Sequence, residues 1–229
     1  MMAWTDSVFN TLSMDERIGQ LFMVIADVKT TNQNMQRLLR YVNELNIGGV
    51  LFHKGSPEVQ AQLTNRMQEA SKVPLLVSLD GEWGLSMRLS GTTRFPKNMM
   101  LGAIENDLLI RKYGEEVARQ CKEMGIHINF APDLDVNSNV DNPVIGIRSF
   151  GEDPAAVADK GIAYASGLEE GGIMAVAKHF PGHGDTSDDS HETLPVIYHS
   201  RARLDSVELF PFKQYIQLSL IHISEPTRH

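Results

Sequence analysis

Five short apolar runs, each followed by a longer stretch with helical spacing, constrain this chain more than any other feature of its sequence. The runs occupy residues 21–25, 47–52, 74–79, 126–130 and 173–177. They are mostly continuous in apolar residues, which is the pattern of strands buried on both faces. Strands separated by helix-length connections pair in parallel through crossovers, so the sequence predicts a parallel sheet covered by helices.

The intervening stretches carry their own start and stop signals. Ser13-Met14-Asp15-Glu16 reads as a capping box, and Met35, Leu38, Leu39, Val42 and Leu45 share one helical face. Ser56-Pro57 opens a helix to about Ser71. A further helix is expected from about Asn106 to Met124, with Leu109, Tyr113, Val117 and Cys121 in its apolar stripe. Asp153-Pro154 opens another, closed by Gly171-Gly172, and a last helix is expected from Arg201 to about Gln217.

Composition narrows the function. The chain has 229 residues, with 21 Lys and Arg against 29 Asp and Glu for a net charge of −8, which argues against a nucleic-acid partner. Hydrophobic residues at 42% and charged ones at 22% suit one large globular domain. Cys121 is the only cysteine, so an internal disulfide and a thiolate metal site are excluded, and a packed thiol is expected. No apolar run approaches the ~20 residues of a membrane span. The first residues lack a signal peptide, so the chain reads as cytoplasmic as written, or periplasmic or secreted if a leader is missing.

Polar segments follow three of the runs, beginning near Asp80, Asp133 and Lys178. Catalytic groups gather at strand C-termini both in a TIM-type (β/α)8 barrel and in an open doubly wound sheet. Neither G-x-G-x-x-G nor a P-loop follows any run, which favours the α/β barrel over the nucleotide-binding sheet. A barrel takes about 250 residues and eight units. The chain supplies five to six units, so the barrel is expected to be incomplete.

The densest chemical segment runs from Lys178 to His191, with three histidines, three aspartates and a lysine in one Gly- and Pro-turned loop. His179, His183 and His191 with an aspartate could form a metal site, although no fixed helical ligand spacing is present. A solvated loop with satisfied histidines is the plain alternative. The third reading is proton transfer, in which Asp189 orients His191 and raises its pKa so that it serves as a general acid.

The same stretch, Lys178-His179-Phe180-Pro181-Gly182-His183-Gly184-Asp185-Thr186 through Asp189-Ser190-His191, resembles the signature of family 3 glycoside hydrolases in the β-N-acetylglucosaminidase branch. The segments 129–136 and 142–153, and Leu79-Asp80-Gly81-Glu82-Trp83-Gly84 through Arg88, resemble three further motifs in family order. The likeness extends from about Trp4 to Gln217.

The resemblance implies a barrel that removes terminal N-acetylglucosamine from glycans such as peptidoglycan fragments by a retaining mechanism, with no cofactor and no metal. It assigns His191 as acid/base with Asp189 as its partner, and Asp80, Arg88, Arg148, Lys178 and His179 as residues that hold the sugar. A phosphorylase is the enzymatic alternative, and an inactive sugar-binding fragment the non-enzymatic one. Asp133 and Asp135 are expected to structure their loop, and Trp83 to stack on a sugar or to pack in the core. The family's aspartate nucleophile lies beyond position 217. Residues 218–229 resemble no family segment, so a barrel domain over 1–217 followed by a non-native tail is expected.

Overall fold

The computed structural model describes residues 2–26, 32–186, 199–218 and 222–223. Asp189 and His191, the expected acid/base pair, lie outside the described residues. Five strands, β1 (Met23–Ala26), β2 (Gly49–Phe52), β3 (Leu76–Leu79), β4 (Ile128–Asn129) and β5 (Met174–Ala175), form one parallel sheet. Their spatial order is their chain order, β1-β2-β3-β4-β5. A doubly wound sheet would reverse direction from its first strand, whereas this progression is the winding of a barrel wall. Among the described residues the wall does not close, and β1 is an edge with Leu21, Phe22 and Ile25 exposed beside it. Beyond β5, Ile223 makes an isolated parallel bridge to Ala177.

Nine helices are described: α1 (Met2–Thr11), α2 (Met14–Gly19), α3 (Asn32–Leu45), α4 (Pro57–Ala70), α5 (Asn98–Gly102), α6 (Asp107–Glu123), α7 (Pro154–Glu170), α8 (Arg201–Ser206) and α9 (Phe210–Gln217). The local start signals act as expected. Ser13 and Glu16 complete their capping box, Ser56 accepts from the amide of Val59, and Asp153 accepts from that of Ala156. Three expectations change. Helix α1 precedes the capping box. The apolar stripe of α6 is Ile110, Tyr113, Val117 and Cys121, with Leu109 exposed. The helix expected over 201–217 breaks into α8 and α9, because Pro211 offers no amide to a continuous helix and starts a new one.

The core lies between the sheet and the helices. Val50, Phe52, Val77 and Leu79 from the strands are buried with Leu38, Val42, Leu63, Met67, Val117, Tyr164 and Leu168 from the helices. Cys121 is buried there too, and burial pushes its thiol up to about 12, as suits a packing role. Helices α6 and α7 approach closely: a Cβ on Gly167 would stand 2.1 Å from the carbonyl oxygen of Arg111. No helix among the described residues is long and apolar enough to cross a membrane.

Candidate active site

The polar segments that follow β3, β4 and β5 converge at the C-terminal ends of those strands. Asn129, the last residue of β4, holds the turn after β3 from both sides. Its Oδ1 accepts from the Gly81 amide at 2.8 Å and its Nδ2 donates to the Gly81 carbonyl at 3.3 Å. The Tyr164 hydroxyl donates to that same carbonyl at 2.9 Å. With Gly81 fixed, Asp80 and Glu82 project into the space above the sheet. Lys178, just past β5, is fixed by its backbone, which bridges Asp133 and bonds Pro132 and Leu134.

The structure brings the five sequence-derived sugar-site residues into one cluster. Arg88 donates to Asp80 Oδ2 at 2.8 Å, and Lys178 Nζ donates to Asp80 Oδ1 at 2.6 Å. Lys178 also lies 3.0 Å from Glu82 Oε1. Arg148 forks onto Glu82, with Nη2 at 2.8 Å from Oε1 and Nε at 3.0 Å from Oε2. The same Nη2 lies 3.1 Å from His179 Nε2. Since arginine can only donate, that nitrogen accepts, and the ring proton is on Nδ1, which meets Asp135 Oδ2 at 2.6 Å.

Charge compensation sets the protonation of these groups. Burial alone would raise the carboxyls of Asp80 and Glu82, but Lys178 with Arg88 on the first, and with Arg148 on the second, holds both below the usual range. Burial would lower Lys178, and Glu82 and Asp80 overcome it and raise it. Burial pulls His179 down to about 4 against the pull of Asp133, so the ring is neutral at pH 7. Burial, with Asp135 beside it, pushes Asp133 well above its ordinary value.

Asp133 and Asp135 are both fully buried. Asp133 Oδ1 accepts from the Asp135 amide at 2.9 Å, and Asp135 accepts from the amides of His179 and His183 at 3.2 and 2.6 Å. The loop after β5 is thus wrapped around Asp135. It is also pressed against the loop after β4, where Asn142 Nδ2 donates to the His183 carbonyl at 2.7 Å and a Cβ on Gly184 would meet the Val136 carbonyl oxygen at 1.7 Å. His199 Nε2, 2.5 Å from Asp185 Oδ2, ties the chain past residue 198 back to this loop.

For a metal, the donor atoms of Asp133, Asp135 and His179 fall within 4.8 Å of one another. Asp135 Oδ2 already takes the His179 proton, and the Arg148 cation stands 3.7 Å from Asp133 Oδ2, so the set is better suited to a proton than to a cation. His183, expected as a ligand in the metal reading, instead bonds Thr186 through Nδ1, and His191 is outside the described residues. Trp83 is half-buried with the Lys97 ammonium 4.7 Å from its ring centroid. Sequence reasoning missed Glu82. The available signal was its place, two residues after Asp80 in the polar segment that follows the third run.

Comparison with known proteins agrees with this architecture. The pattern described as the glycosyl hydrolase family 3 N-terminal domain matches residues 13–223. A β-hexosaminidase A from Pseudoalteromonas piscicida is 37% identical over 195 residues, which cover 80% of this chain and 33% of that protein. The chain therefore spans about a third of that relative. A family 3 β-N-acetylglucosaminidase structure from Paenibacillus sp. str. FPU-7 superposes with a TM-score of 0.85 at 35% identity, over 94% of this chain and 42% of that one. The β-glucoside phosphorylase BglX bound to 2FGlc gives a TM-score of 0.87 at 26% identity, over 94% and 38%. With its parallel barrel wall and its charged strand ends, this chain belongs to the glycosyl hydrolase family 3 N-terminal domain family.

Proposed function

We propose that the protein to which this chain contributes is an exo-acting β-N-acetylglucosaminidase that works with retention through a covalent intermediate. The observation that carries the reading is Asp80, partly exposed between Arg88 and Lys178 with Arg148 and His179 beyond it. A carboxylate flanked by cations can accept from sugar hydroxyls while the cations donate to hydroxyl and acetamido oxygens. The β-hexosaminidase and β-N-acetylglucosaminidase names of the relatives support the same reading. Terminal N-acetylglucosamine on a glycan or peptidoglycan fragment is the proposed substrate.

In this scheme His191, oriented by Asp189, protonates the departing oxygen and later activates water, while an aspartate from beyond residue 217 attacks the anomeric carbon. A purified polypeptide of these 229 residues is proposed to lack that nucleophile and to bind sugar without turnover. The test is hydrolysis of an aryl N-acetyl-β-glucosaminide by the full-length protein. Cleavage of the plain aryl β-glucoside alone would overturn the assignment. His191→Ala in that protein should slow substrates with poor leaving groups by on the order of 10²–10⁴-fold and spare those with good ones.

A second reading, an N-acetylglucosaminide phosphorylase, is favoured by the structural likeness to a β-glucoside phosphorylase. A neutral histidine acid/base would not repel an anionic acceptor as a carboxylate would. Products formed with and without phosphate separate the two.

A further inference from the structure

Glu82 is an acidic group of the cluster to which the scheme above gives no task. Its side chain is fully buried, so it is not placed to touch a ligand. What it touches is Arg148, through two parallel bonds, and Lys178. A paired fork of this kind fixes the plane of a guanidinium as well as its position.

The donors left over show what that fixation is for. A guanidinium carries five N–H groups and an ammonium three. On Arg148, Nε and one Nη2 proton go to Glu82, the second Nη2 proton goes to His179 Nε2, and Nη1 gives one to the Val144 carbonyl at 3.2 Å. One N–H remains. On Lys178, Asp80 takes one of the three and Glu82 Oε1 stands 3.0 Å away as an ion-pair partner, so at least one remains. The direction of each remaining donor follows from the bonds that Glu82 makes.

We infer that Glu82 is the positioning residue of this site, the buried anion that aims one N–H of Arg148 and one of Lys178 at the sugar. The inference rests on the sugar-site reading above. A merely structural ion pair would occupy the same place but would leave ligand affinity and the titration of Lys178 independent of each other. Three charged groups face the Lys178 ammonium, Asp80 and Glu82 from the end of β3 and Arg148 from the loop after β4. Removing the Glu82 charge while keeping its shape therefore frees the lysine proton at lower pH.

The experiment uses this chain and Glu82→Gln, with folding checked by thermal melting. N-acetylglucosamine affinity is read by calorimetry across pH, and the Lys178 Nζ titration by lysine-selective ¹⁵N NMR. Glu82→Gln should weaken binding roughly 10- to 100-fold, as expected for loss of charge-assisted hydrogen bonds. The Lys178 midpoint and the alkaline limb of binding should move down together. Unchanged affinity overturns the inference, as does weaker binding with the Lys178 midpoint unmoved. If Glu82→Gln does not fold, Glu82→Asp replaces it. That variant keeps the charge but is one methylene short of both partners, and wild-type affinity in it overturns the inference. If the unaltered chain binds no N-acetylglucosamine at any pH, the sugar reading fails, and the Lys178 titration still decides whether Glu82 governs its neighbours.

Discussion

On the outer face of α6, Arg119 pairs with Glu116 and Glu123, one turn away along the same helix and in water. At the strand ends, Arg148 pairs with Glu82, 66 residues distant in the chain and fully buried. The residue types are the same, but the physics differs. A solvated pair within one helix forms whenever the helix forms, and water screens most of its energy. A buried pair between distant segments is strongly coupled, and breaking it strands a charge in a medium that cannot solvate it. The pairs that cross between loops are therefore the ones that can hold a binding geometry.

Three measurements press on this contrast. The largest effect is expected from Lys178→Met, which leaves Asp80 and Glu82 with one cation fewer between them. Urea unfolding should show a loss of about 3–5 kcal/mol. A loss no greater than the ~0–1 kcal/mol of a surface pair would erase the distinction between the two regions.

The second effect is a change of pH dependence in Asp133→Asn. His179 is depressed to about 4 from 6.5 while Asp133 is held well above 3.8. Wherever the folded protein still holds the Asp133 proton and the unfolded chain has already taken one up on His179, the two linkages offset each other. Asparagine removes the folded-state carrier. The unfolded chain still takes up its proton below pH 6.5, so the variant should lose stability from there toward pH 4. The slope should approach about 1.4 kcal/mol per pH unit. The unaltered protein should instead weaken as pH rises through the raised Asp133 value, where the folded state gives up that proton. Identical acid limbs in the two proteins would show that Asp133 carries no proton.

The smallest effect is Arg119→Gln, expected to cost less than about 0.5 kcal/mol and to shrink further in salt. A larger loss would mean that α6 depends on its outer face more than on the stripe of Ile110, Tyr113, Val117 and Cys121.

What could be read from the sequence followed the same division between local and distant. Capping at Ser13, Ser56 and Asp153, and the five apolar runs, depend on neighbouring residues and were legible, although the strands themselves are shorter than the runs and the first is largely exposed. The break at Pro211 was also local and should have been read. The gathering of Asp80, Arg88, Arg148, Lys178 and His179 was reached through motif resemblance, since no spacing along the chain places Lys178 beside Asp80. Glu82 escaped because its partners lie 66 and 96 residues downstream and the motif drew attention to Asp80. The family match reaches residue 223, past the boundary expected at 217.

The strands themselves give the charged cluster a second meaning. β1, β2 and β3 are joined by four residue pairs at each interface, but β3 to β4 and β4 to β5 by only two. Lys178, reaching over β4 from the end of β5 to Asp80 and Glu82 at the end of β3, laces together the half of the sheet where the ladder is thinnest. A library varied at these positions and sorted for folding alone, with no sugar in the medium, should still return Lys178 and Glu82. The proposed grip on the ligand and the seam of the wall are one set of atoms, so neither property can drift without the other registering it.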